Sequence, residues 1–261
     1  MSTADQSTLK VARAESDNRI AIITIDRPPV NALDTPTYRA LAEVFSSVAD
    51  DAELRCVILT SAGTRAFCAG SDVREFKLLT PENSIRRART IRAAFEAIWK
   101  CSLPVIGAIN GPALGAGLAI CSYCDVLIAS ETATFGLPEI KVGVLGGTKQ
   151  LSRLVPPKKL RWMALTGDTV SAAELKNFGG VEAVAAPNDL MATAVAYASK
   201  IAERSPAAVR LQKEAMNLTE YMALAEGYQV EQAFTGLLSG SSESKEAASS
   251  YLEKRDPKYK E

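Results

Sequence analysis

A glycine-rich turn near the middle of the chain is the first place where the sequence can support chemistry. An apolar run ends at Asn110, and the chain then turns through Gly115, Ala116 and Gly117 into a short apolar segment. In that layout the first backbone N–H groups of the following helix have no intrahelical partner and lie at the positive end of its dipole. The sequence therefore predicts a site that stabilises an anion, including an oxyanion formed during a reaction.

Glu139 is the carboxylate that the sequence offers to this site. It follows Phe135 and Leu137 and precedes Ile140, in an apolar and turn-rich segment. Apolar surroundings raise the pKa of a carboxyl group, which suits proton transfer. An oxyanion site with one nearby carboxylate is what proton transfer next to a carbonyl requires. We therefore interpret Glu139 as a general acid and base; the alternative is a loop residue that faces solvent.

The absence of histidine narrows the chemistry. Because the chain contains none, a Ser-His-Asp triad, a Cys-His pair and imidazole metal sites are excluded. The five cysteines are odd in number and stand in apolar segments, which favours buried reduced thiols over disulfides. Cys121 and Cys124 have a Cys-x-x-Cys spacing but lack a second pair, so we expect no metal site.

The bulk composition bounds the class of protein. The chain has 261 residues, 47% hydrophobic and 23% charged, with a formal net charge of zero. These values fit one large domain, with or without an appended subdomain. The neutral balance predicts neither a nucleic-acid partner nor binding to an anionic membrane. No segment has the pattern of a signal peptide or a bilayer span, so we expect a soluble cytoplasmic protein.

Strands and helices alternate in the first half of the sequence. The patterns predict strands over 9–15, 20–26, 56–60, 104–109 and 125–129, and helices over about 34–50 and 82–100. This alternation favours an α/β layered fold. After Gly147 the segments read as helical, apart from a short strand over 181–185. The predicted helices of this part cover 147–155, 157–165, 171–178, 188–204, 206–218, 221–238 and 242–253.

Eight motifs, taken in order, resemble the crotonase superfamily, also called the enoyl-CoA hydratase/isomerase family. They are RAFCAGSD (65–72), PVIGAINGPALGAG (104–117), CD (124–125), ATFGLPEI (133–140), GGT (146–148), LTG (165–167), SPAAV (205–209) and EKR (253–255). The resemblance implies an α/β fold built as a spiral of ββα units, followed by a C-terminal helical region that builds trimers or hexamers. It divides this chain into a disordered tail (1–8), a spiral core (9–200) and a helical trimerisation region (201–261).

The same resemblance implies an enzyme that binds acyl-CoA thioesters and stabilises a thioester enolate. By position, the oxyanion-binding amides belong to Ser71 and Ala116, and the general acid and base is Glu139. No cofactor is implied beyond the coenzyme A of the substrate. Further substrate contacts fall, by position, on Arg27, Ala66, Cys68, Ala69, Gly70, Gly115, Ala119, Leu145 and Lys254.

The sequence departs from the family pattern at one catalytic position. Hydratases of the family use two glutamates, and the first of these is replaced here by Ala119, which cannot transfer a proton. The segment 140–145 is also shorter than its family counterpart. One carboxylate is enough for a 1,3-proton shift, and some family hydratases keep only this one, so hydration and double-bond isomerisation both remain open.

Two other classes of function stay open at this stage. One is a non-catalytic acyl-CoA-binding or scaffold protein, because Ala119 removes half of the usual machinery. The other is thioester hydrolysis or ring cleavage, which ranks last because several such relatives use histidine. We interpret Asp72 as a helix cap rather than a second catalyst. The arginines of the helix predicted over 82–100 are interpreted as a solvated face, with phosphate or RNA contacts as alternatives.

Overall fold

The computed structural model describes residues 8–259, apart from the side chain of Phe76. Within this range, nine strands are present: β1 (Leu9–Ala14), β2 (Asp17–Ile25), β3 (Cys56–Ser61), β4 (Val105–Ile109), β5 (Ala113–Leu114), β6 (Val126–Ser130), β7 (Thr134–Gly136), β8 (Thr169–Ser171) and β9 (Ala183–Ala185). The α-helices of the first part are α1 (Thr35–Ala49), α2 (Val73–Phe76), α3 (Pro81–Lys100) and α4 (Ala116–Tyr123). Those of the second part are α5 (Thr148–Leu151), α6 (Pro157–Thr166), α7 (Ala172–Asn177), α8 (Leu190–Ala202), α9 (Pro206–Thr219), α10 (Leu224–Ser239) and α11 (Ser242–Glu253).

The larger of two sheets has the strand order β1-β2-β3-β4-β6-β9. Strands β1 and β2 form an antiparallel hairpin, and every other neighbouring pair in this sheet is parallel. Parallel sheets are normally covered on both faces, and β3 is accordingly buried along its whole length. The predicted α/β fold and its five strands are confirmed.

Helices cover both faces of this sheet. Helix α8 packs on one face, where Leu190, Ala194 and Ala198 meet Ile58 and Ile106 in one buried cluster. Successive side chains of a strand point to opposite faces, so their neighbours in β3 and β4 belong to a second cluster, together with α1, α3 and α4. The site described below is formed by loops and turns on the side of the sheet where this second cluster lies.

A small second sheet escapes the sequence patterns. It has the order β5-β7-β8, with β5 parallel to β7 and β7 antiparallel to β8. Its strands have only two or three residues, too few for a recognisable alternation. It ties the end of the glycine turn to the segment that precedes Glu139, because the Gly115 N–H donates to the Gly136 carbonyl at 2.9 Å.

Helices α9 to α11 form the C-terminal helical region. The buried Lys213 anchors α9, because its ammonium donates to Asp125 at 2.7 Å and to the Leu103 carbonyl at 2.9 Å. Asp125 also accepts the Val105 N–H at 2.7 Å, so this side chain has a structural role. Large apolar side chains on and between these helices are exposed: Met216, Leu218, Tyr221, Met222, Leu224, Tyr228, Leu237, Tyr251 and Leu252.

The predicted boundaries between three regions of the chain can be compared with the ends of the helices. Residues 1–7 of the predicted disordered tail lie outside the described residues, and the Thr8 carbonyl accepts a hydrogen bond from the Asp26 N–H. The predicted boundary at residue 200 falls inside α8, so the division into tail, core and trimerisation region stays a prediction. Of the described helices, none is long and apolar enough to cross a membrane.

Candidate active site

The glycine turn has the conformation that its sequence predicts. Gly115 is the N-cap of α4, and its φ of 54° and ψ of −114° belong to a region open only to glycine. The first helical hydrogen bond runs from the Ala119 N–H to the Gly115 carbonyl at 3.0 Å. The Ala116 N–H therefore precedes the helical ladder, and nothing within residues 8–259 accepts it.

Ser71 presents a second backbone amide. Leu33 holds the segment on both sides of it, because the Leu33 N–H donates to the Gly70 carbonyl and the Leu33 carbonyl accepts the Asp72 N–H, both at 2.8 Å. Peptide groups alternate in direction along an extended chain, so the Ser71 N–H points away from Leu33. It too has no acceptor in the described part of the chain.

Close backbone packing brings these two segments together. A β-carbon on Gly70 would lie 3.8 Å from the Ala116 nitrogen, and one on Gly117 would lie 2.3 Å from the Cys68 carbonyl oxygen. The first turn of α4 therefore packs directly against the loop that carries Ser71, and no side chain fits between the two backbones. The Ser71 and Ala116 N–H groups thus belong to two segments whose backbones pack directly against each other.

The carboxylate of Glu139 lies against this turn. The residue belongs to a 3₁₀ helix, Pro138–Val142. β-carbons on Gly115 and Gly146 would lie 2.7 Å and 2.8 Å from its Oε1 and Oε2 atoms, so the carboxylate sits between two glycine segments. Oε2 is buried and has no hydrogen-bond partner among the described residues. Burial raises the pKa of this carboxyl group, as the sequence predicts.

Asp72, the other carboxylate near the turn, is fully engaged. It caps α2 by accepting the Arg74 N–H, as predicted, and it pairs with the side chains of Arg74 at 2.5 Å and Arg27 at 3.0 Å. The hydrogen bonds from Arg74, and with them those from Arg27, hold the pKa of Asp72 well below its usual range. This group remains ionised at neutral pH and has no capacity for proton transfer.

The predicted coenzyme A contacts fall on atoms that already hold the fold. The Arg27 guanidinium donates to the Ala32 carbonyl and to Asp34 as well as to Asp72. A contact from Arg27 to a phosphate stays a prediction, and in this structure the side chain fixes the loop below the site.

The stretch 66–70 likewise uses its backbone groups internally. The Ala66 carbonyl accepts from Asn31, and Cys68 pairs through its N–H and carbonyl with Pro112 and Leu114. The Ala69 N–H donates to Val30, and Gly70 binds Leu33. These bonds align the loop beside α4, while the expected contacts to coenzyme A remain predictions.

The remaining predicted site residues lie in different surroundings. Ala119 is buried, with 5% of its surface exposed, in the first turn of α4 after Ala116. Leu145 is 89% exposed in the segment after Glu139, and the exposed Lys254 ends α11 with a φ of 52°. Of the arginines on α3, Arg87 pairs with Glu75 at 3.0 Å rather than facing solvent alone.

The sequence patterns missed one residue of the site. Tyr38 of α1 is completely buried, and its hydroxyl lies 2.7 Å from the Ser71 hydroxyl. Tyr38 falls on the apolar face of α1, so the sequence pattern alone assigns it to the hydrophobic core. Nothing local could have paired it with a residue so far along the chain.

Comparison with known proteins gives matches along nearly the whole chain. The model of the enoyl-CoA hydratase/isomerase family matches residues 15–261. A Mycobacterium tuberculosis protein named (7aS)-7a-methyl-1,5-dioxo-2,3,5,6,7,7a-hexahydro-1H-indene-carboxyl-CoA hydrolase is 38% identical, over 83% of this chain and 87% of that protein. The short-chain-enoyl-CoA hydratase of Clostridium acetobutylicum is 34% identical, over 92% of this chain and 94% of its own. A solved enoyl-CoA hydratase structure from Bacillus anthracis superposes with a TM-score of 0.92 at 33% identity, covering 97% of this chain and 99% of that chain.

Proposed function

Since the chain belongs to the enoyl-CoA hydratase/isomerase family, we propose that it stabilises the enolate of an enoyl-CoA thioester, with Glu139 as its single general acid and base. The observation that supports this most directly is the position of the Glu139 carboxylate against the turn that carries the Ala116 amide. An unpartnered buried oxygen on that carboxylate is free to accept a proton from a bound molecule.

The two amides act on the thioester oxygen. When the acyl chain loses a proton next to the carbonyl, or when the oxygen of water adds to C3, negative charge moves onto the thioester oxygen, and the N–H groups of Ser71 and Ala116 hold it. Donors fixed by the fold need no reorganisation during the reaction, and each is typically worth about 3–4 kcal/mol of transition-state stabilisation. The same two N–H groups therefore bind the thioester oxygen and stabilise the charge that develops on it in the transition state.

Glu139 then moves one proton in either of two reactions. In a double-bond shift, its carboxylate removes a proton from C2 of a 3-enoyl-CoA and returns it to C4, giving the 2-enoyl isomer. In hydration, it takes a proton from water as the oxygen adds to C3, and it delivers a proton to C2. A raised pKa suits both because the group must gain and lose the proton near neutral pH.

Ala119 makes this a single-carboxylate enzyme. Its methyl group is buried at the position where two-glutamate relatives carry their first acid, so every proton passes through Glu139. A double-bond shift needs no second acid, whereas hydration requires Glu139 to handle the water and C2 in turn.

The proposal extends to the setting of the enzyme. It is a cytoplasmic homo-oligomer that uses no cofactor beyond the coenzyme A of its substrate. The exposed apolar side chains of the C-terminal helices, among them Leu224 and Leu252, support association of several copies.

Hydrolysis of an acyl-CoA is the second candidate. It gains support from the Mycobacterium tuberculosis relative, whose name describes a CoA hydrolase. The same two amides would hold the oxyanion in that reaction, and Glu139 would deprotonate the attacking water.

Product analysis in deuterated water tests the proposal. The protein is incubated separately with 2-enoyl-CoA and 3-enoyl-CoA thioesters of several chain lengths, with a protein-free blank. Products are separated by chromatography against standards of both isomers and identified by mass. Conversion of the 3-enoyl to the 2-enoyl isomer marks the shift, a gain of water marks hydration, and release of free coenzyme A marks hydrolysis. Binding without product or deuterium exchange at any chain length would contradict an enzymatic role and favour an acyl-CoA-binding protein.

A further inference from the structure

The buried Tyr38 contacts the side chain of Ser71, whose backbone amide belongs to the proposed oxyanion site. The Tyr38 ring is fully buried on α1 and packs edge-on against Phe95, with ring centres 5.9 Å apart and planes at 81°. Its hydroxyl reaches the Ser71 hydroxyl at 2.7 Å. Ser71 is the residue whose amide is available to a substrate oxygen, so this side-chain contact bears directly on a group of the site.

The chemistry of the pair sets the direction of the hydrogen bond. Burial raises the pKa of the Tyr38 phenol, so the group stays protonated. A buried phenol needs an acceptor for its proton, and the structure supplies the Ser71 oxygen. Tyr38 is therefore the donor and Ser71 the acceptor.

Other contacts from the start of α1 act on the same loop. Leu33 binds both neighbours of Ser71 through its backbone. Thr35 donates its N–H to Glu75 of α2 at 2.9 Å and its hydroxyl to the same carboxylate at 3.1 Å. Within residues 8–259, the Tyr38 hydroxyl adds the side-chain bond that reaches Ser71 itself. Together these contacts restrain both the path of the loop and the rotation of the peptide group that carries the Ser71 N–H.

We propose that Tyr38 is a positioning residue, which aims the Ser71 amide at the thioester oxygen by holding the Ser71 hydroxyl. This inference rests on the proposed function. Oxyanion stabilisation depends steeply on donor placement because the donor must already point at the site where charge develops. The Tyr38 hydroxyl contributes to the chemical step without touching the substrate.

Tyr38→Phe tests the proposal, because it removes the hydroxyl and keeps the buried ring. The expected result is a fall in kcat of about five- to tenfold, the equivalent of one hydrogen bond, with KM for the acyl-CoA changed less than twofold. Ser71→Ala should lower kcat to a similar extent, and Ser71→Thr, which keeps a hydroxyl, should restore most of it. The double variant Tyr38→Phe/Ser71→Ala should lose no more than either single variant.

Tyr197→Phe is the matched control. Tyr197 lies on α8, which packs on the opposite face of the large sheet, so its hydroxyl should not affect kcat. An unchanged kcat in Tyr38→Phe, or additive losses in the double variant, would overturn the proposal. So would parallel changes in kcat and KM that follow a loss of thermal stability, since these would mark a merely structural role.

A second measurement does not need the activity. Amide hydrogen exchange read by mass spectrometry over residues 69–75 should be faster in Tyr38→Phe than in the wild type or in Tyr197→Phe. If the wild type converts no enoyl-CoA, the proposed function fails, and this exchange rate alone decides whether Tyr38 holds the loop. Equal exchange in the three proteins would contradict the positioning role even in an active enzyme.

Discussion

Two carboxylates adjoin the glycine turn and the Ser71 loop, and their surroundings are opposite. Asp72 follows Ser71 directly and is bound by two arginines, so its pKa is lowered. Glu139 lies against Gly115 with one buried oxygen unpartnered in the described chain, so its pKa is raised. The acid that follows Ser71 in sequence is therefore held ionised by its ion pairs, whereas the acid that the fold brings against the turn has the raised pKa.

The largest effect that this comparison predicts is on turnover. Glu139→Gln keeps the shape of the side chain but removes its proton-accepting oxygen, and general acid–base catalysis typically contributes 10²- to 10⁴-fold. We expect kcat to fall about 10³-fold while acyl-CoA binding, measured by calorimetry, is retained. Glu131→Gln, at an exposed acid after β6, is the matched control. Turnover above a tenth of the wild-type value would remove Glu139 from the mechanism.

The second largest effect is expected at the turn itself. Gly115→Ala would place a β-carbon 2.7 Å from Glu139 Oε1 in a backbone conformation that suits only glycine. The carboxylate and the Ala116 amide must both move, and a displacement of about 1 Å in an active site can cost about 10²-fold in rate. Gly236→Ala on α10, where a β-carbon meets open space, is the control. Wild-type kinetics in Gly115→Ala would show that the turn tolerates the shift.

Asp72→Asn should affect stability more than chemistry. The substitution removes the charge of a largely buried carboxylate and so breaks its ion pairs with Arg27 and Arg74. We expect a loss of about 2 kcal/mol in the free energy of unfolding, measured with urea at pH 7. Since its pKa is lowered, Asp72 stabilises the fold above its ordinary value of 3.8 and loses this effect as the pH falls through the lowered pKa. A larger loss of kcat than in Glu139→Gln would reverse the roles assigned to the two acids.

The smallest effect expected is a gain in stability. Because burial raises the Glu139 pKa above its ordinary 4.5, the ionised carboxylate favours unfolding, and the protein loses stability as the pH rises through the raised pKa. Glu139→Gln should therefore melt at a higher temperature than the wild type at pH 7 to 8, and the difference should disappear below pH 4.5. A lower melting temperature at neutral pH would mean that the carboxylate has a stabilising partner.

The crotonase-type fold was predictable because strong periodic segments dominate it. The five long strands and the helices α1 and α3 were predicted almost to their ends, and the motif order led to the family that the comparisons confirm. The small sheet could not be predicted, because its strands exist only through pairing with distant segments. Helix α5 is also shorter than the segment 147–155 suggested, because the chain leaves the helix at Ser152.

The site was predictable only where a local motif carries it. Gly115, Ala116 and Glu139 lie in motifs that can be recognised one by one, and the fold brings the Glu139 carboxylate against Gly115; their catalytic roles stay predictions. Arg27 shows the limit of this approach, because its distant partner Asp72 had to be placed by the fold before the arginine could be assigned to it. Tyr38 shows the same limit, because its hydroxyl can be paired with Ser71 only once the fold has brought the two residues together.

The Lys213 ammonium has a consequence for where the chain can be divided. Residues 9–200 contain both the Ser71 loop and the Glu139 segment, yet a chain cut before α9 would leave Asp125 without its cation and open the Leu103 carbonyl to water. Both groups hold β4 and β6, the strands that deliver the glycine turn. Helix α9 therefore completes the core that carries the glycine turn, and a chain truncated before it should fail to fold.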